Sequence, residues 1–219
     1  MKRTKTVRCG APESSSETPL RDRVLSAAFS AFMERGYEGA STLDIATRAK
    51  VSKRELYALF DNKHAMLAAC IAERAKRMRL PLKLPTASNR EALAATLNVF
   101  GTTILRGVCD PKVLAVYRLA IAESDSSPEI AQLLDKAGRE ANRSALVELL
   151  TAAQADGLLG AVEPATMAAQ FFALIWGDLL VRLLLRVTNV PKPTEVEQRV
   201  RVATDILMTL YPEPINSAT

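Results

Sequence analysis

Apolar residues recur along this chain at the three- and four-residue spacings of amphipathic helices, without the strict alternation that marks a half-buried strand. Val24, Leu25, Ala28, Phe29, Ala31 and Phe32 form one face of a first helix. Thr18 can cap it, Pro19 suits its first turn and Gly36 ends it. Three further helical segments follow on very short links: Thr42 to Ala49, Ser52 to Phe60 and Lys63 to Leu80. Pro81 and Pro85 then interrupt the pattern, which makes Pro81 to Ser88 the candidate junction between a small head and a larger body. In the body the pattern predicts helices at 89–107, 111–124, 127–156, 163–188 and 193–211. The fold class is all-α, with nine helices and no strand expected.

Composition sharpens this. The 219 residues are 48% hydrophobic but only 5% aromatic, with 9 Gly and 11 Pro. Such a chain buries a real core and favours unbranched, helix-compatible side chains. Cys9, Cys70 and Cys109 stand far apart with a single His64 to complement them, so reduced thiols are expected, with no disulfide framework, no metal and no cofactor. The most apolar run, Phe171 to Val187, is interrupted by Asp178, Arg182 and Arg186, which disfavours a membrane span. No secretory signal is expected at the basic start, and the protein reads as cytoplasmic.

The net charge of +5 is unevenly placed. Residues 1–80 hold 16 Lys and Arg against 9 Asp and Glu, and residues 81–219 hold 13 against 15. A head of +7 on a body of −2 suggests a polyanion partner for the head, although a solvated basic face has the same composition.

The segment from Thr42 to Phe60 decides between these readings. Thr42 or Ser41 caps a helix whose Ile45, Ala46 and Ala49 present a small apolar face. Ser52 caps a second helix whose Leu56 and Phe60 point back into the core. Two short helices joined by a few residues make a helix-turn-helix, whose second helix fits the major groove of DNA. Lys53, Arg54, Glu55, Tyr57 and Ala58 are not needed for packing and are available to DNA; Thr42, Ser52, Tyr57 and Lys63 can serve phosphates.

These residues, with Val24 to Gly36, Tyr37, Ala49-Lys50-Val51-Ser52, Leu56-Tyr57, Phe60 and Lys63 to Leu67, resemble the tetracycline-repressor (TetR) family of bacterial transcription regulators. Residues 1–18 are polar and without periodicity and read as a disordered basic tail; the resemblance implies a DNA-binding domain at 19–62, a connecting helix at 63–80 and a ligand-binding and dimerisation bundle at 81–219. It assigns Thr42, Tyr57 and Lys63 to phosphates and Lys53, Arg54 and Glu55 to positions that face base edges. Two departures stand out. Lys50 occupies a turn position that is commonly Gly, so the turn must accept a side chain and gains a possible phosphate contact. Leu59 replaces a residue that is often polar, which removes another.

In the last helix Val196, Val200, Ala203, Leu207 and Leu210 recur at spacings of 4, 3, 4 and 3, a seam suited to another helix. The preceding helix is apolar nearly all round, from Met167 through Phe171, Trp176 and Leu180 to Leu184. The family resemblance assigns both helices to a homodimer interface; an ordinary intrachain core is the alternative. Phe100, Ile104, Tyr117, Leu119, Phe171 and Trp176 are candidates to line a ligand cavity, with Arg118 or Glu123 as polar anchor, although each also serves as plain core. Tyr117 to Glu123 with Ser127 to Ala131 is similar to an AefR-like C-terminal domain found in a subset of these regulators.

The reading is therefore a repressor that binds a palindromic operator as a dimer and is released by a small, largely hydrophobic ligand. A ligand-independent DNA-binding or architectural protein is the alternative. An enzyme is remote, because no nucleophile motif, phosphate loop or metal-spaced cluster appears.

Overall fold

The computed structural model describes residues 17–78, 84–125 and 127–214. The basic tail expected at 1–18 lies outside them except for its last two positions, as do residues 81–83 of the expected junction. Every regular element among the described residues is a helix, with no strand among them. They form two compact units that divide between Cys70 and Ile71, inside a helix and well before Pro81 to Ser88.

The head contains α1 (Glu17–Gly39), α2 (Thr42–Ala49), α3 (Lys53–Leu59) and the start of α4 (Lys63–Met78). Gly36 adopts φ 70° and ψ 177° and bends α1 near its end. The apolar face anticipated on α1 is buried together with Ile45, Ala46, Leu56, Phe60, Met66 and Leu67. Burial of Met66 and Leu67 explains why the division falls within α4: its first turns complete the head's core, and the Cys70 thiol donates to the Leu25 carbonyl at 3.5 Å.

The body is built from α5 (Arg90–Val108), α6 (Pro111–Ala122), α7 (Pro128–Leu134), a π-helical stretch (Asp135–Glu140), α8 (Ala141–Ala155), α9 (Pro164–Trp176), α10 (Leu179–Leu184) and α11 (Pro193–Leu210). Proline opens α6, α7, α9 and α11, where the missing N–H has no helical partner to lose. The segment predicted as one helix at 127–156 is one rod, its φ and ψ helical through the π-helical stretch. The segment predicted at 163–188 is two. Gly177 takes φ 48° and ψ −123°, open only to glycine, and separates α9 from α10. The described residues thus form ten rods where nine were expected.

The 4-3-4-3 seam of α11 is filled within the chain. Val196, Val200, Ala203 and Leu207 are buried against α5 and α9, which corrects their assignment to a dimer seam; Leu210 is 56% exposed. Gly101 makes this packing possible. A Cβ there would stand 2.7 Å from Val200 Cγ1 and 3.1 Å from Phe171 Cζ. Arg90 closes the far end, donating to the carbonyls of Leu158 at 2.6 Å and Tyr211 at 2.9 Å, and to that of Met208.

Gly101→Val should overpack this crossing and cost about 1–3 kcal/mol. Thermal unfolding of the full chain checks it, and an unchanged midpoint would show that α11 can shift without loss.

Candidate nucleic-acid interface and effector cavity

Ser41 is the residue that caps α2, its Oγ accepting the Asp44 N–H at 3.1 Å. The Thr42 hydroxyl is thereby available, and it accepts a hydrogen bond from the Tyr57 hydroxyl at 3.3 Å. Two predicted phosphate contacts on different helices therefore meet. The turn after α2 is left-handed at Lys50, with φ 55° and ψ 49°. Lys50 N–H donates to Thr47 O at 3.2 Å and Val51 N–H to Ala46 O at 3.0 Å, the paired bonds of a Schellman ending. The departure from Gly noted in the sequence is thus a residue held at φ > 0.

Ser52 caps α3 through a capping box. Glu55 N–H donates to Ser52 Oγ at 3.2 Å, and the Glu55 carboxylate accepts from the Ser52 N–H at 2.8 Å and hydroxyl at 2.7 Å. The Ser52 N–H, then its hydroxyl, hold the Glu55 carboxyl below its usual pKa, with Arg23 of α1 adding a smaller effect. Glu55 was expected to face base edges and Ser52 to serve phosphate; in this structure their side chains are engaged with each other. Lys50, Lys53 and Arg54 are exposed and make no ion pair among the described residues, and Tyr57 is 46% exposed. At the start of α4, Lys63 Nζ donates to the Glu38 carbonyl at 3.3 Å and lies 4.3 Å over the Tyr37 ring. The neighbouring His64 meets the same ring edge-on at 6.5 Å.

Two features of the head went unnoticed in the sequence. Arg48 braces α2 against α1, bonding both oxygens of Glu34 at 2.7 and 2.8 Å and Asp44 at 3.0 Å. The hydrogen bond that Arg48 donates to Glu34 lowers the pKa of Glu34, and donating to Glu34 and Asp44 raises that of Arg48. Leu43, one residue beyond Thr42, is 60% exposed. It lies off the Ile45/Ala46/Ala49 face, which was the available signal, and an apolar side chain there suits a thymine methyl.

In the body a cavity of about 620 Å³ opens between α5, α6, α9 and the π-helical stretch. Ile104, Tyr117 and Trp176 line it, as the sequence suggested. Phe100 and Phe171 do not. They are fully buried behind it, their rings 6.5 Å apart, because Phe171 packs at Gly101. The adjacent Phe172 lines the cavity in their place. Arg118 is not the polar anchor: it donates to the carbonyls of Leu184 at 2.9 Å and Leu183 at 2.7 Å, at the end of α10. Polar lining comes instead from Thr103, Asn142 and charged groups such as Arg106 and Arg139. No sequence signal marks Gly138, Arg139 and Asn142 as neighbours of this space, because a π-helical stretch has no compositional signature. Burial raises the pKa of Tyr117, and Asp135 adds to it against an opposing Arg139. Cys70 and Cys109 are buried, and burial also pushes the Cys109 thiol up, the reverse of what a reactive thiolate needs.

Among the described residues there is no group of three or more potential metal ligands, and no single helix is long and apolar enough to cross a membrane. Residues 24–70 match the family model for bacterial regulatory proteins of the tetR family, and residues 95–213 match that for the AefR-like transcriptional repressor C-terminal domain. A helix-turn-helix transcriptional regulator of Mycobacterium tuberculosis H37Rv is 28% identical over 191 residues, covering 87% of this chain and 85% of that one. The crystal structure of a TetR regulator from Agrobacterium tumefaciens is 29% identical with a TM-score of 0.77, covering 89% and 94% of the two chains. The flavonoid-responsive regulator FrrA is 28% identical with a TM-score of 0.74, covering 89% and 98%.

Lys50→Gly should relieve a left-handed penalty of about 1–2 kcal/mol while losing about 0.5–1 kcal/mol of unfolded-state advantage. The expected outcome is amide exchange in α2 and α3 slowed by about two- to fivefold. Faster exchange would mean that the Lys50 side chain contributes more than its backbone costs.

Proposed function

Because the chain belongs to the TetR family of bacterial DNA-binding transcriptional regulators and carries the family's AefR-like C-terminal domain, we propose that it is a cytoplasmic repressor, not an enzyme, which binds a palindromic operator as a homodimer and is released by a small, largely apolar effector. The observation that carries the DNA reading is the constellation on α2 and α3: a capped recognition helix with Lys53, Arg54 and Tyr57 exposed and Tyr57 bonded to Thr42 across the two helices. In this reading Thr42, Tyr57, Lys50 and Lys63 position the backbone, and Lys53 and Arg54 read base edges. Glu55 and Ser52 hold the start of α3.

Homodimerisation through α10 and α11 rests on their outer faces instead of the filled seam. Val202, Ile206 and Leu210 on α11 are 45%, 39% and 56% exposed, and Val181 on α10 and Leu185 just after it are exposed as well. A second copy covers such surface and spaces two recognition helices for successive major-groove turns, 34–36 Å apart or a multiple. The cavity supports the effector reading, and FrrA, a relative of the same fold, responds to flavonoids. That makes planar aromatic compounds a reasonable first panel.

Fluorescence anisotropy on the duplex upstream of the protein's own gene tests the reading. With about four phosphates per protomer the slope of log K against log[salt] should be near −7. Lys53→Ala, Arg54→Ala and Tyr57→Ala together should cost at least about a hundredfold, from roughly 1–3 kcal/mol per base-edge contact. Undiminished affinity in the triple variant would reject the assignment. For the dimer, Val202→Lys with Ile206→Lys should give a folded monomer by analytical ultracentrifugation, and a persistent dimer would move the interface elsewhere.

A further inference from the structure

The effector cavity has a chemistry more specific than its size. Its apolar surface comes from Ile104, Val108, Val116 and the rings of Tyr117, Phe172 and Trp176, with Phe172 and Trp176 one helical turn apart on α9. Aromatic faces of this kind hold flat ring systems in offset or edge contacts. The charged groups at its margin are already balanced. Arg106 pairs with Glu197 at 2.6 Å, Arg139 pairs with Asp135, and Asp110 and Lys112, of opposite charge, both line the space, the Asp110 carboxylate accepting the Lys112 backbone N–H at 2.7 Å. The raised pKa of Tyr117 reflects the same condition: the surroundings oppose a new negative charge.

Among the buried polar side-chain atoms of the lining, one is left over. Asn142 is 7% exposed, lines the cavity and has an Oδ1 with no hydrogen-bond partner. Buried acceptors are almost always satisfied, so an orphan beside a cavity points to a donor supplied by whatever fills it. Its position follows from the backbone. The π-helical stretch Asp135–Glu140 ends just before it, and Gly138 leaves open space where a side chain would stand, with nothing within 4 Å of a built Cβ. A π-helical turn of this kind inside a helix is frequent at functional sites.

We infer that the cavity takes an uncharged, multi-ring aromatic molecule bearing a hydrogen-bond donor, and that Asn142 receives that donor. The inference rests on the effector reading above and deepens it. Aliphatic amphiphiles and aromatic anions are thereby disfavoured.

The chain contains a single tryptophan, Trp176, and it lies in the cavity wall, so its fluorescence reports occupancy directly. Four probes isolate the features: 4-phenylphenol, its methyl ether 4-methoxybiphenyl, biphenyl-4-carboxylate and 1-dodecanol. The expected order places 4-phenylphenol first, about tenfold tighter than the ether, since one hydrogen bond to a buried acceptor is worth about one decade. Asn142→Leu should bring the phenol and the ether to equal affinity while keeping the ether. Equal binding of the two by the unmodified protein overturns the role of Asn142, and that comparison stands even where the variant does not fold. Dodecanol equal to the phenol overturns the aromatic class, a tighter carboxylate overturns neutrality, and no quenching by any probe overturns the class altogether. None of these outcomes alters operator binding by the free protein, which stands or falls on the anisotropy measurement.

Discussion

The body is organised by how closely α11 can approach α5. A single missing Cβ at Gly101 lets Val200 and Phe171 meet on the α5 backbone, and the facing of three helices follows. With Phe171 turned into that contact, its neighbour Phe172 is carried about 100° round α9 and faces the cavity. With Val200 and its heptad companions turned inward, Val202 and Ile206 are left outside. Core, cavity wall and outer apolar face are consequences of one close crossing, because dense interiors cannot relax to accept one methyl more.

Much of this was legible. The prolines at the starts of α6, α7, α9 and α11 and the glycine at the bend of α1 announce themselves because backbone chemistry restricts where such residues sit. Gly177 carries the same information, but it was submerged in a run of apolar residues that reads as one long helix. The seam of α11 shows a different limit. Its period says that a helix lies against it and says nothing of which chain that helix belongs to. The same applies to Phe100 and Phe171: hydrophobicity separates inside from outside, and only packing separates core from cavity.

In the head, residue types were read well and their allegiances less so. Glu55 and Ser52 satisfy two orphan donors of α3 between them, and a capping box of this spacing is visible in the sequence as Ser-x-x-Glu. The same residue types at the start of a recognition helix also suit contacts to bases and phosphates, so type alone does not separate the two roles. Arg48 was invisible for the opposite reason: its partner Glu34 is fourteen residues away on another helix, and no local rule pairs them. The brace nonetheless ties α2 to α1 at the rim of their buried apolar contact.

The cavity is the place where the molecule departs furthest from what stability alone would select. Space of this volume beside Ile104, Val108, Phe172 and Trp176 forgoes dispersion contacts that a repacked core would recover. The π-helical stretch beside it replaces regular i to i−4 bonding, and Asn142 leaves an acceptor unpaired nearby. Each departure costs free energy by itself, and all three occur at the same wall. Coincident departures of this kind at one wall are what the proposed effector role leads one to expect. Gly138 ties them together: the residue in the π-helical stretch that has no side chain is one that faces the cavity. Neighbouring residues of one rod thus supply the space, the backbone irregularity and the unsatisfied polar group together.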